Sequence, residues 1–139
     1  MSTAAEVARR SAAAMWENDL ASQTLGMKIL QVGPGTAQLT MKVSETMLNG
    51  HKTVHGGYIY TLADSAFAFA CNSYNERAVA AQCSITYIRP GKGGEPLIAT
   101  AREISRSGRS GIYDVEVTQG GETIAHFRGH SRLIGGSVY

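Results

Sequence analysis

The hydrophobic pattern changes period along the chain, and each change marks a boundary between elements. Residues 4–20 place Val7, Ala14, Met15 and Leu20 among apolar positions at helical spacing, which predicts an amphipathic helix. After Gly26 the period drops to two. In TAQLTMKV, Ala37, Leu39, Met41 and Val43 alternate with Gln38, Thr40 and Lys42, the pattern of a strand with one buried face. The preceding MKILQVG is its hairpin partner across the GPG turn at Gly33–Gly35. Residues 57–74 then read as a second helix, apolar on nearly every face. Four strands follow it: VAAQCSITYIR, PLIATAREISR, GIYDVEVTQ and ETIAHFRGHSRLI, separated by the turn signals PGKGG, SGRS and GG. Consecutive strands with such turns imply an antiparallel sheet, and a helix this apolar has to be wrapped by it. The expected class is α+β, a curved antiparallel sheet around a long central helix.

Composition narrows the class without changing it. A chain of 139 residues, 43% apolar and 17% charged, is the size of one domain with one core, so 1–139 is expected to fold as a single unit with its N-terminal helix. No apolar run reaches the ~18 residues of a membrane span. The first twenty residues carry Glu6, Glu17 and Asp19 and no hydrophobic stretch, which predicts no secretory signal and no membrane partner. Cys71 and Cys83 fall in an apolar helix and an apolar strand, as reduced thiols of a cytoplasmic protein do. Thirteen basic against eleven acidic residues leave a net charge of +2, and no zinc-finger spacing or aromatic-laced basic patch accompanies it; nucleic acid is not an expected partner. Locally, Arg89 and Lys92 share one Gly/Pro-rich turn, and Arg102, Arg106 and Arg109 surround another. Two basic turns suit a phosphate-bearing ligand, and they are equally ordinary as solvated hairpin ends.

The stretch NGHKTVHGGYIYTLADSAFAFA, Asn49 to Ala70, carries the chemistry. Its aspartate, Asp64, shares one helical stripe with Thr61, Ser65 and Asn72. An ionised carboxylate in low dielectric costs several kcal/mol unless paired. Asp64 either caps a loop or pairs with a buried arginine, or its burial raises its pKa for use as a base. A carboxylate in mid-helix cannot cap its own N-terminus, which favours the second reading. Gly56 and Gly57 lie at the helix start, where backbone N–H groups have no partner within the helix and negative charge is favoured. Without side chains they admit a ligand closely, as an oxyanion site requires. Gly57 and Asp64 are seven residues apart, ~10 Å along the axis at 1.5 Å per residue. That is too far for both to serve one carbonyl from one copy. Two antiparallel copies about a twofold axis bring them together, so the spacing predicts a homodimer with shared sites.

An asparagine, a histidine six residues on, two glycines, and an aspartate nine residues after the histidine resemble the hotdog-fold thioesterases, closest to the PaaI-type phenylacetic acid degradation branch. The matched residues are Asn49, His55, Gly56, Gly57 and Asp64, and the likeness runs through SITYIRPG and SGRSG over roughly residues 24–134. The resemblance implies a hotdog fold and hydrolysis of an acyl-coenzyme A thioester. Asp64 would be the nucleophile or the general base acting through water. The N–H of Gly57, or of Gly56, would polarise the carbonyl. Asn49 would orient water or substrate, and His55 would shape the loop and contact the thioester. Arg89, Lys92, Arg106 and Arg109 would meet the coenzyme A phosphates. Some relatives carry a hydroxyl on the strand after the helix, where this chain has Ala80, with Ser84 nearby. Family habit further implies a dimer of dimers, a tetramer.

Other chemistries fit less well. His51 and His55 with Asp64, or His126 with His130, could be drawn as metal ligands, but the first pair sits in a glycine-containing loop and strand-surface histidines are commonplace. No metal or cofactor is expected. No G-x-S-x-G elbow, Walker loop or G-x-G-x-x-G follows a strand. A non-catalytic acyl-CoA-binding module is the alternative within the fold, with a dehydratase behind it; the presence of Asp64, Asn49 and HGG together favours hydrolysis. Tyr58, Tyr60, Phe67 and Tyr74 could line an aryl pocket or belong to the core. Aryl-acetyl thioesters are the expected substrates, with short or medium acyl groups next.

Overall fold

The computed structural model describes residues 2–139. Helix α1 (Ala4–Asn18) starts at Thr3, whose hydroxyl accepts the Glu6 N–H at 3.1 Å. It ends two residues earlier than the apolar pattern implies. Asp19 leaves helical geometry and caps a new helix, α2 (Leu20–Thr24), accepting the Ser22 N–H at 3.0 Å. A short polar side chain that satisfies an orphan N–H is what starts a helix, so the predicted single helix breaks in two. Ala8, Ser11 and Ala12 form the buried face of α1, with Met15 and Trp16 packed against the core. Leu20 is instead 68% exposed.

The six strands are β1 (Lys28–Gly33), β2 (Thr36–Met41), β3 (Ala78–Tyr87), β4 (Leu97–Ser107), β5 (Ser110–Gln119) and β6 (Glu122–Leu133). All neighbours are antiparallel, in the order β1-β2-β4-β5-β6-β3. One expectation fails here. The PGKGG segment is no hairpin, because β3 pairs with β6 and β4 with β2. It crosses over instead, tied down by Val54 N–H to Gly91 C=O at 2.9 Å and by the Gln119 amide bridging the backbone of Lys92 and Glu95. The crossing leaves β3 as an edge strand.

Helix α3 (Gly56–Cys71) lies across the concave face. Leu39 and Met41 of β2, Leu97 and Ala99 of β4, and Val115 and Val117 of β5 meet Leu62, Ala63, Ala66 and Phe67 of the helix, all within 1% of full burial. Alanines on both sides allow close approach, and the tightest point has no side chain at all. A Cβ on Gly129 of β6 would stand 2.7 Å from the Phe67 ring. The wrapping is incomplete, however. Thr61, Asp64, Ser65 and Ala68 form a half-buried stripe along α3 that the sheet does not fully cover. Among the described residues no helix is long and apolar enough to cross a membrane.

Candidate active site

The loop entering α3 is organised by its own side chains. A 3-10 turn (Glu45–Met47) leads to Asn49, whose carboxamide oxygen accepts the N–H groups of His51 and Thr53 at 2.9 and 3.2 Å. Asn49 also bonds the Thr53 hydroxyl, so its carboxamide is committed first to holding the loop. His55 is fixed through its N–H to Met47 C=O at 2.8 Å and is the N-cap of α3.

The cap redistributes the oxyanion donors. The Gly57 N–H is not free: it donates to His55 Nδ1 at 2.9 Å. An imidazole that accepts at Nδ1 while neutral carries its proton on Nε2, which leaves that N–H as a donor. Tyr58 N–H is taken by His55 C=O at 3.0 Å. Among the described residues nothing accepts from the Gly56 N–H, so of the two glycines it is Gly56 that presents an open donor. Its carbonyl accepts from the Tyr87 hydroxyl at 2.8 Å, and a Cβ there would stand 3.0 Å from the Tyr87 ring. A side chain there would have to push the Tyr87 ring aside. In the sequence Tyr87 is one aromatic on a strand, with no local signal that marks it. The helix start opens on a cleft of about 390 Å³ lined by Val54, Gly56, Ile59, Tyr87, Arg89 and others.

Asp64 lies two turns further on. It is half-buried, and no described residue hydrogen-bonds or ion-pairs with it, so it is neither a loop cap nor the partner of an arginine. Burial pushes its carboxyl above the usual range, and the charge of Asp19 adds to the shift. Around it stand Tyr60, held at about 12 chiefly by burial, and Cys83 of β3, also raised by burial. Ser84, the hydroxyl nearest in sequence to Ala80, faces the other side of the sheet, where it shares a surface recess with Asp114, His126 and Arg128. Alternation along a strand makes Cys83, not Ser84, the residue on the helix side. Of the aromatic candidates, Phe67 is core, packed on Tyr113 and Phe127, and Tyr74 is bound to Glu103. Tyr58 and Tyr60 remain partly exposed along α3.

The basic residues divide between the two ends of the helix. Arg89 borders the cleft at the helix start but is bound to Glu122 at 3.3 Å and to Thr123 C=O at 2.9 Å. Lys92 in the same crossover makes no side-chain bond among the described residues. At the far end Arg106 stacks on Tyr74 at 3.6 Å and pairs with Glu103 and Glu76 at 3.7 and 3.9 Å. Arg109 sits at the β4–β5 turn with no side-chain partner among the described residues. Both arginines border a second recess, of about 180 Å³, with Cys71 and Tyr113. One copy therefore offers donors at one end of α3, the carboxylate in its middle and the less committed arginine at the other end. Both cysteines are free, and no group of three or more described His, Cys, Asp or Glu residues could hold a metal.

The model of the thioesterase superfamily matches residues 51–125, a span containing His55, both glycines and Asp64. Over 130 residues the chain is 46% identical to the acyl-coenzyme A thioesterase PaaI of Escherichia coli strain K12, covering 93% of each. The chain belongs to the thioesterase superfamily. The structure of the E. coli PaaI protein from the phenylacetic acid degradation operon matches this thioesterase with a TM-score of 0.95 and 43% identity, over 97% of this chain and 99% of that one. That match bears out the hotdog fold expected from the sequence. A more distant match is smu.793 of Streptococcus mutans UA159, solved with acetyl CoA bound: 28% identity, TM-score 0.77, 80% of this chain and 90% of the other.

Proposed function

We propose that this thioesterase hydrolyses acyl-coenzyme A at a site completed by a second copy of the chain, with residues 1–139 acting as one domain. The observation that carries the reading is Asp64: a half-buried carboxylate without a partner among the described residues, on a stripe of α3 that the sheet leaves open. Names support the substrate class, since the E. coli relative is an acyl-coenzyme A thioesterase and the S. mutans protein holds acetyl CoA. Asp64 takes a proton from water, and the hydroxide adds to the thioester carbonyl. The oxyanion that forms accepts hydrogen bonds from Gly56 N–H and His55 Nε2–H of the partner copy. As the carbonyl re-forms, the C–S bond breaks and the proton held on Asp64 passes to the thiolate, giving free acid and coenzyme A. The uncommitted Nδ2 proton of Asn49 is in the loop beside the donors, and Lys92 and Arg109 meet the phosphates. Free thiols at Cys71 and Cys83 suit the reducing cytoplasm in which we place it.

The edge strand supports the dimer. β3 exposes Val79 (45%) and Tyr87 (49%), with Ile88 (44%) just beyond, on a ten-residue strand whose outer edge has no partner strand among the described residues. Natural edges are seldom left so apolar and uncovered. A twofold axis beside β3 pairs this edge with its copy, runs the two α3 helices antiparallel and closes the open stripe; a dimer of dimers is the further assembly. Shared sites are tested by mixing two inactive variants, Asp64→Ala and Gly56→Val. Hybrids hold one intact site of two, so equal mixing restores about a quarter of wild-type turnover, and absence of any recovery with hybrids shown by mass would end the shared-site reading. For the acyl group, arylacetyl thioesters are expected to exceed aliphatic ones in kcat/KM, checked by turnover of a panel of both.

A further inference from the structure

Among the described residues one charged group acts on Asp64, and it comes from between the N-terminal helices: Asp19. Asp19 caps α2 with both carboxylate oxygens: Oδ1 accepts the Ser22 N–H at 3.0 Å and Oδ2 accepts the Ser22 hydroxyl at 2.7 Å. Ser22 is 1% exposed, and its Oγ lies 2.8 Å from Oγ of Ser65, the residue after Asp64. A hydroxyl has one proton, and that of Ser22 goes to Asp19, so Ser65 donates to Ser22. The direction of the chain is therefore Ser65 to Ser22 to Asp19. It pins the first turn of α2 against the stripe of α3 that carries Asp64.

We propose that Asp19 is a positioning residue for the reaction, its charge setting the pH range in which Asp64 works. This rests on the assignment of Asp64 as the base. The other titratable groups facing Asp64 are Tyr60 and Cys71 of α3 and Cys83 of β3, with Tyr87 beside Tyr60. Burial holds Tyr60 and Cys71 at about 12 and raises Cys83 and Tyr87, so all four are neutral through the physiological range. No described cation stands among them. Among the described residues that leaves the charge of Asp19 to act, and a like charge disfavours ionisation of Asp64. The carboxylate that shapes the helix start thus also keeps its neighbour proton-avid.

Asp19→Asn separates the two roles, because asparagine caps a helix about as well as aspartate. In the full-length enzyme the acidic limb of kcat/KM against pH is expected to move to lower pH by about half a unit or more. The carboxyl carbon-13 titration of Asp64, assigned against Asp64→Asn, should move in the same sense. Ser22→Ala keeps the charge and cuts the chain, so it should lower the thermal midpoint and leave the limb near its wild-type position. If asparagine disturbs the fold, Asp19→Ser is a second capping residue without charge. An unmoved Asp64 titration in a folded, uncharged variant overturns the proposal. The titration reads the coupling even without turnover, whereas full activity in Asp64→Ala would remove the base assignment and leave the coupling standing.

Discussion

Asp64 and Asp114 are the same side chain, both half-buried in one small protein, and their surroundings push them in opposite directions. Asp114 on β5 faces Arg128 on β6, which donates from Nε and Nη2 at 2.6 and 2.8 Å, and this bidentate bond holds its carboxyl below the ordinary range. Asp64 has no donor among the described residues and is held above it by burial and by Asp19. A carboxylate that the fold needs is satisfied by the fold. One left unsatisfied on a half-open face is available to something that the fold does not contain, here a water molecule and a thioester.

Replacing each aspartate breaks that comparison in its own way. Asp64→Ala is expected to lower kcat by at least ~100-fold in a thioesterase assay, as losses of a general base do. Its uncharged isostere should do the opposite to stability. The folded state favours the protonated form of Asp64, so the charged form costs stability once pH rises through its raised pKa. Asp64→Asn should therefore raise the thermal midpoint at pH 7–8 by ~2–4 °C, a gain that fades as pH falls through the raised value and is gone below the ordinary 3.8. Next in size, Arg109→Ala should raise KM several-fold and weaken its salt dependence, because that guanidinium is uncommitted. Arg106→Ala should mainly lower the midpoint, since it removes the stack on Tyr74 and the ion pairs. The smallest effect belongs to Asp114→Asn. Its stabilisation is present above 3.8 and lost as pH falls through the lowered value, so the variant should lose ~1–2 °C at neutral pH and low salt, with turnover unchanged. Differential scanning fluorimetry over pH reads both aspartates in one experiment.

Local patterning made the strands and the central helix legible, since alternation along β5 and the apolar run of α3 are short-range facts. The HGG and aspartate spacing likewise located the helix start and its carboxylate. What could not be read was set by groups distant in sequence. The break at Asp19 depends on a cap that any aspartate in a polar stretch could make or decline. The pairing of β3 with β6 depends on which edge the crossover reaches. His55 taking the Gly57 N–H is a rotamer choice, and it moved the open donor by one residue. Nor does a basic turn reveal that Glu103 and Tyr74 already hold Arg106 while Arg109 stands uncommitted.

Gly129 has a meaning for manufacture as much as for packing. Phe67, whose ring leaves no room for a Cβ there, is one turn from Asp64 on the same helix. The sheet backbone at that point acts as a datum surface from which the height of the helix is measured. A single methyl would be a shim of ~1.5 Å, about one carbon–carbon bond, beneath the part that carries the carboxylate. Tolerances in this enzyme are thus set from below, at a residue with no side chain and no chemistry.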